Sequence, residues 1–381
     1  MASVSSGSVR PLLFDAVPAL AHRVPWIPLI EGPTPVQLLD RVSGRVGREI
    51  WIKRDDRTSS VYGGNKPRKL EFLLAEARFQ DARTLVTGGA LGTNHGLATT
   101  IFGRRLGFHV VLCLLDQPVT DHVLRNLLLF HAYGAEMVYV GSKLRGAVQF
   151  GLVERIRRRR ACFIPLGGSS PTGVLGFVNA GLELALQLER KELPLPSSIF
   201  VAVGSCGTMA GLVLGLRVAG VSVPVVGVQV APRLVVNPGA VLRLARRTRR
   251  LMGRHGGRVS GKPLSVSDFP IDRAHYGSGY GHTTEKGRSA SRFMAEAEGI
   301  LLEPTYTAKT FASVLDHDKT GSRGGPALFW NTFNSVDLSA QAGLVDSTSL
   351  PKAFHGFFQA RKTGSQESVN ADSGRKSFKN L

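Results

Sequence analysis

Five short apolar runs constrain the fold of this chain more than any other feature. Thr84–Thr87, Val110–Leu115, Met137–Val140, Ile199–Val203 and Val225–Val230 are strand-length and carry no charge. Helix-length patterns lie between them: a stretch from a Gly-rich turn to about Leu106, the run Val123–His131, and a segment containing Leu212, Val213 and Leu216. Strands apolar on both faces and alternating with helices predict parallel sheets covered on each side. The pattern falls into two blocks, roughly 63–165 and 168–340, and so predicts an α/β protein of two open twisted parallel-sheet domains. Such sheets bind ligands beyond the carboxyl ends of their strands, where the glycine-rich loops lie.

The remaining sequence excludes several function classes. No apolar run approaches the ~18 residues of a membrane span. Cys113, Cys162 and Cys206 have neither CxxC nor metal-ligand spacing, so buried free thiols in a reducing cytosol are expected. The N-terminus lacks an apolar signal core, and a mitochondrial transit peptide is the lesser alternative to a cytoplasmic protein. The net charge of +20 concentrates in Arg155–Arg160 and in the arginines between 243 and 258. Few aromatics interleave with them, so solvated basic faces are favoured over a nucleic-acid partner. Residues 345–381 are rich in Ser, Lys, Gly, Gln and Asn and are expected to form a disordered tail, most clearly from about 360 onward.

Three loops carry chemistry. The segment Gly63-Gly64-Asn65-Lys66-Pro67-Arg68-Lys69 precedes a helix pattern in which Leu70, Leu73, Leu74 and Ala77 share one face. Pro67 fits a first helical turn. Lys66 therefore stands at the positive end of a helix dipole beside Arg68 and Lys69, which favours its neutral, nucleophilic form. A solvated basic helix start is the plainer reading of the same residues.

The second loop, Val203-Gly204-Ser205-Cys206-Gly207-Thr208-Met209-Ala210-Gly211, follows a strand and opens a helix. Small residues with successive N–H groups and a helix N-terminus suit a phosphate. The loop lacks the Gly-Lys-Ser/Thr of a Walker motif, and no carboxylate ends the next strand as a dinucleotide site requires. In the third loop, Gly88–Gly96, Asn94 can donate to a phenolate and Thr93 can hold a carboxylate, while His95 is more often structural. Leu166–Ser170 is a further glycine-containing loop on the same cleft. A neutral lysine, a phosphate cradle and an Asn for a phenolate together describe a pyridoxal 5'-phosphate site. No histidine cluster has metal-ligand spacing.

These residues make the chain resemble the D-cysteine desulfhydrase and 1-aminocyclopropane-1-carboxylate deaminase family. That family belongs to the tryptophan-synthase-β-like, fold type II pyridoxal phosphate enzymes. The similarity runs from Pro28–Pro35 through Ile52–Asp56, Gly63–Phe72, Gly204–Gly211 and Gly279–Gly281 to Glu303–Thr307, and covers roughly residues 25–332. The resemblance implies a homodimer with the cofactor in the cleft between two domains. Residues 1–62 with 168–340 would be the large cofactor-binding domain and 63–167 the small one. Lys66 would hold the cofactor and move the Cα proton, and Asn94 would contact the ring hydroxyl. Gly204, Ser205, Gly207 and Thr208 would bind the phosphate. Thr93, Asn94 and His95 would contact a small amino-acid substrate, Tyr280 and Tyr306 would flank it, and Thr332 would lie beneath the ring nitrogen.

Thr307 and Thr332 stand where the deaminase pattern has Glu and Leu, which resembles the desulfhydrase branch. The implied reaction is α,β-elimination of D-cysteine to pyruvate, hydrogen sulfide and ammonia, with the deaminase as the alternative. The family's Gly-Gly after Thr332 is replaced by Phe333 and Asn334. A Phe there would crowd the ring, which keeps a cofactor-binding homologue of weakened or lost activity as a further alternative.

Overall fold

A computed structural model of the chain describes residues 10–141, 160–257, 262–317 and 325–359. The chain enters through α1 (Leu12–Ala16), β1 (Val36–Leu38), α2 (Asp40–Val46) and β2 (Ile50–Lys53), and α3 (Lys66–Phe79) follows. The next segment runs β3 (Thr84–Ala90), α4 (Asn94–Arg105), β4 (His109–Leu115), α5 (Asp121–Ala132), β5 (Glu136–Gly141) and β6 (Ala161–Phe163). Its strands form a four-stranded parallel sheet in the order β5-β4-β3-β6. The chain continues through α6 (Pro171–Glu189), β7 (Ser198–Val203), α7 (Gly207–Val218), β8 (Val225–Gln229), α8 (Pro238–Arg254), β9 (Ile271–Asp272), α9 (Glu285–Glu298), α10 (Thr307–Asp316) and β10 (Ala327–Trp330). A second sheet has the order β1-β2-β10-β7-β8-β9 and is parallel except at β1–β2.

All five apolar runs are strands, and every residue of β7 is buried, as a central parallel strand requires. The edge strands β1, β6 and β9 are only two or three residues long, too short to show a period. Side-chain caps start several helices: Thr93 Oγ1 accepts from Gly96 N, Ser170 from Gly173 N and Asn237 Oδ1 from Ala240 N. In α3 the expected face is buried, but so are Arg68, Lys69 and Glu71, because α3 packs against both α6 and α4.

The arginine-rich 243–258 stretch proves to be largely one amphipathic helix. Val241, Leu242, Ala245, Thr248 and Met252 of α8 are buried, while Arg243, Arg247, Arg250 and Arg254 face solvent. Of the other cluster only Arg160 is described, ion-paired to Asp81. Cys206 is buried, whereas Cys113 and Cys162 are only half-buried, and all three are free thiols. No described helix is long and apolar enough to cross a membrane.

The expected tail from 345 is corrected over its first part. After α11 (Ser339–Gly343) the chain continues in short helical turns to residue 359, with Leu350 and Phe354 buried against the small-sheet core. Phe354 and Phe357 both pack on Tyr139, with ring centroids 5.8 and 5.6 Å away. A few spaced apolar anchors hold a segment whose average composition is polar. Residues 360–381 lie outside the described residues.

Candidate active site

A cavity of about 480 Å³ opens where the strands of both sheets end. Gly88–Ala90 of β3, Leu115 of β4 and Gly141 of β5 line one side. Gly204 and Ser205 after β7, Ala231 after β8 and Thr332 after β10 line the other. Lys66, Thr93, Asn94, His95, Thr208, Tyr280 and Tyr306 all face this one space. The topology thus gathers residues from widely separated parts of the sequence. Gly207 is the exception among the expected site residues. It starts α7 just behind the lining, where an added Cβ would come 2.5 Å from Ser169 Oγ and 2.8 Å from Lys69 Nζ.

Lys66 is the first residue of α3 and is partly exposed, its open side being the cavity. Burial alone lowers its pKa to about 8. The expected help from Arg68 is therefore corrected. Arg68 points away, into Asp55 and Glu183, and its charge is neutralised there. The loop before Lys66 is fixed by close backbone approach: a Cβ on Gly63 would lie 1.9 Å from Asp56 O. Asn334 Oδ1 accepts from Gly63 N at 2.6 Å, and Asn65 N donates to Thr332 O at 3.1 Å. Asn334 is thus a fastener of the lysine loop. Phe333 lines the cavity with its ring edge-on to His122, centroids 5.9 Å apart.

The phosphate cradle contains residues that pattern reading did not assign. Cys206 adopts the left-handed conformation (φ 68°) that swings the chain into α7. Asn65 Nδ2 donates to Thr208 Oγ1 at 3.1 Å, tying the lysine loop to the cradle. Ser169 and Ser205 hydroxyls lie 2.8 Å apart. Lys69 Nζ donates to Gly167 O at 3.1 Å and Ser169 Oγ at 3.3 Å. Burial first and the nearby Lys66 second push its pKa well down. A dianion seated in the cradle would reverse that penalty. The signal in the sequence was a second lysine one helical turn after Lys66.

The opposite wall is polar and neutral. Thr93 caps α4, and the start of that helix presents Asn94 and His95. Both His95 ring nitrogens are buried with no hydrogen-bond partner among the described residues. Burial, then Lys66 and Lys69, hold the ring well below the usual histidine range and so neutral. The Tyr280 and Tyr306 hydroxyls are 2.6 Å apart with their rings edge-to-face. Burial raises the pKa of both, so both are protonated near neutrality. The Glu303 carboxylate accepts from Thr305 N at 2.9 Å and Tyr306 N at 2.8 Å, which sets the second tyrosine. Tyr62 adds a third buried phenol. Thr307 is fully buried and outside the lining; its hydroxyl accepts from Glu303 N at 2.8 Å, so any influence on substrate passes through that turn.

The residues present fit pyridoxal phosphate. An amine held near neutrality, a small-residue loop at a helix start and an amide donor surround one space of suitable size. Comparison with known proteins agrees. Residues 27–332 match the model of the family described as pyridoxal-phosphate dependent enzyme. A D-cysteine desulfhydrase from Salmonella paratyphi B is 36% identical over 330 residues, spanning 84% of this chain and 96% of its own. One from Klebsiella pneumoniae is 36% identical over 329 residues, with the same coverage. A solved structure described as an ACC deaminase homologue superposes with a TM-score of 0.72 at 30% identity, covering 88% of this chain and all of its own. A solved bacterial threonine deaminase shares the fold, with a TM-score of 0.57 at 21% identity over 86% of this chain and 98% of its own. The fold is that of the type II enzymes, and the chain belongs to the pyridoxal-phosphate dependent enzyme family, among the relatives of D-cysteine desulfhydrase and ACC deaminase.

Proposed function

We propose that this chain is a lyase acting on D-cysteine: the thiol is expelled from Cβ, and water then yields pyruvate, hydrogen sulfide and ammonia. The observation that carries this reading is the placement of Lys66. Its amine is depressed to about 8 by burial and shares one cavity with the cradle at 204–208 and the tyrosine pair. When bound, pyridoxal phosphate supplies the electron sink. Gly204, Ser205 and Thr208, with the start of α7 and Lys69 behind it, would hold the phosphate. Asn94, on the cavity wall, would donate to the ring hydroxyl. Thr93, His95 and the N-terminus of α4 hold the substrate carboxylate and so fix which Cα bond faces Lys66. Lys66 Nζ takes the Cα proton. The protonated Tyr280–Tyr306 pair stands where a leaving thiolate can collect a proton. Thr332, which lines the cavity after β10, would offer the ring nitrogen a neutral hydroxyl and so would not favour its full protonation.

Residues 63–167 acting as a small domain against 1–62 with 168–340 is part of the same reading, supported by the separate four-stranded sheet over the cavity. So is a cytoplasmic homodimer, supported by the family resemblance and the free thiols.

The purified protein is expected to release sulfide and pyruvate from D-cysteine faster than from L-cysteine, and faster than it releases α-ketobutyrate from 1-aminocyclopropane-1-carboxylate. Faster α-ketobutyrate release would reverse the assignment in favour of the deaminase. A cofactor spectrum without turnover of either would identify a weakened homologue, with Phe333 on the cavity wall as the cause to test.

The cradle makes a separate prediction. Gly207→Ala overpacks Ser169 and Lys69, which costs about 1–3 kcal/mol. Cofactor affinity measured by titration is expected to fall at least about fivefold, the equivalent of the lower bound, while the folded chain persists. Unchanged affinity would remove Gly207 from the cradle.

A further inference from the structure

We infer that Asn126 is a positioning residue that turns the Asn94 amide so that its Nδ2, not its Oδ1, faces the cofactor. This rests on the proposed role of Asn94 at the ring hydroxyl. Asn126 lies on α5, is 1% exposed and does not line the cavity. Its Nδ2 is 2.9 Å from Gly92 O and 3.3 Å from Asn94 Oδ1. A backbone carbonyl only accepts, so the Gly92 contact fixes which end of the Asn126 amide is the donor. The same NH₂ group then demands an acceptor from Asn94. The Asn94 oxygen is thereby turned to α5, and its own NH₂ is left for the cavity.

His122 Nε2 stands 3.2 Å from the same Nδ2. Burial, followed by the nearby Arg125, pushes this histidine down to about 4. The ring is neutral at pH 7, and its tautomer follows the direction that the Gly92 contact gives the Asn126 amide. Acceptors from Gly92 and Asn94 thus converge on one NH₂ group, and a flipped Asn126 would set its oxygen against both. A donor facing an ionised ring hydroxyl is a charge-assisted contact, whereas an amide oxygen there would repel it.

Asn126→Asp is the sharpest test, because the new carboxylate cannot donate to Gly92 O or Asn94 Oδ1 and instead attracts the Asn94 NH₂. The cofactor dissociation constant, read by titrating pyridoxal phosphate into the cofactor-free protein, is expected to rise about tenfold or more. The visible band of the lysine-bound cofactor is expected to change its pH midpoint. In an Asn94→Ala background the same substitution is expected to change neither reading. Asn126→Ala introduces no charge and is expected to give a smaller rise, again only when Asn94 is present; it carries the comparison if the Asp variant does not fold, as judged by the thermal melt of the cofactor-free protein.

Equal effects with and without Asn94 would show a merely structural role and overturn the inference. So would an unchanged band and affinity in Asn126→Asp. A wild-type protein that shows no band at all would overturn the reading of the site together with it.

Discussion

Replacing Lys66 by alanine is expected to abolish the visible band of the bound cofactor and to lower kcat/KM for D-cysteine by at least about 10²–10⁴-fold, the range for loss of a proton-transferring group. Lys66 makes no hydrogen bond or ion pair to the described residues, so its loss breaks no polar contact among them. The stability effect has the opposite sign. In the cofactor-free protein burial holds the amine at about 8, below its ordinary value of 10.5. Folding therefore disfavours the charged form. That penalty is complete below the folded pKa and disappears as pH rises through the unfolded value of about 10.4. Lys66→Met, which keeps the side-chain length and removes the charge, is expected to be more stable than wild type at pH 7 by up to about 3 kcal/mol. The gap should close above about pH 10. Urea unfolding of both cofactor-free proteins at the two pH values reads this directly. A Met variant less stable than wild type at pH 7 would show that Lys66 is held by contacts rather than exposed to chemistry.

The strands and the three loops were legible because each is a local pattern. An unbroken apolar run and a glycine-rich strand-to-helix turn keep their meaning wherever the chain goes next. Partnerships across the fold were not legible. Arg68 is two residues from Lys66 in sequence, yet α3 turns it toward Glu183, 115 residues away. Proximity in the chain suggested a charge acting on the lysine; the helix geometry sends it to a carboxylate. Asn126 sits in a helix with an ordinary amphipathic pattern, and only the packing of α5 against α4 gives its amide a task. Gly207 and Thr307 show the converse. Both fall within recognisable motifs, but the first lies behind the cavity wall and the second inside its own helix start. The 345–359 stretch was hidden by averaging over 345–381, since its anchors, Leu350 and Phe354 with Val345, Phe357 and Phe358 beside them, all fall in the first part.

Glu183→Gln is expected to destabilise the protein by about 3–5 kcal/mol at pH 7, the cost of breaking a buried ion pair from one side. Glu183 on α6 accepts from Arg68 Nη1 and Nη2, both at 2.9 Å, and from Lys53 Nζ at 2.6 Å. Arg68 also grips Asp55 through Nε at 3.0 Å and Nη2 at 2.8 Å, and Trp330 Nε1 donates to Asp55 at 2.7 Å. Two cations and two carboxylates thus balance in a site where Arg68 and Lys53 are 0% exposed. The glutamine leaves one buried positive charge without its counterpart. Although burial alone would raise the Glu183 pKa, Arg68 and then Lys53 outweigh it and hold the carboxyl far below the ordinary range. Its contribution is therefore present above the unfolded value of about 4.3 and is lost as pH falls toward the folded one. The wild-type advantage should be largest near neutrality and shrink below about pH 4 in urea unfolding. The site feels the same change, because the network pins β2, β10 and the first turn of α3, which carries Lys66. Adding Arg68→Met to Glu183→Gln should cost less than the sum of the two single changes, since the second removes the charge that the first left stranded. Strictly additive costs would mean that the two residues are held by separate contacts, and that α3 is not anchored through this pair.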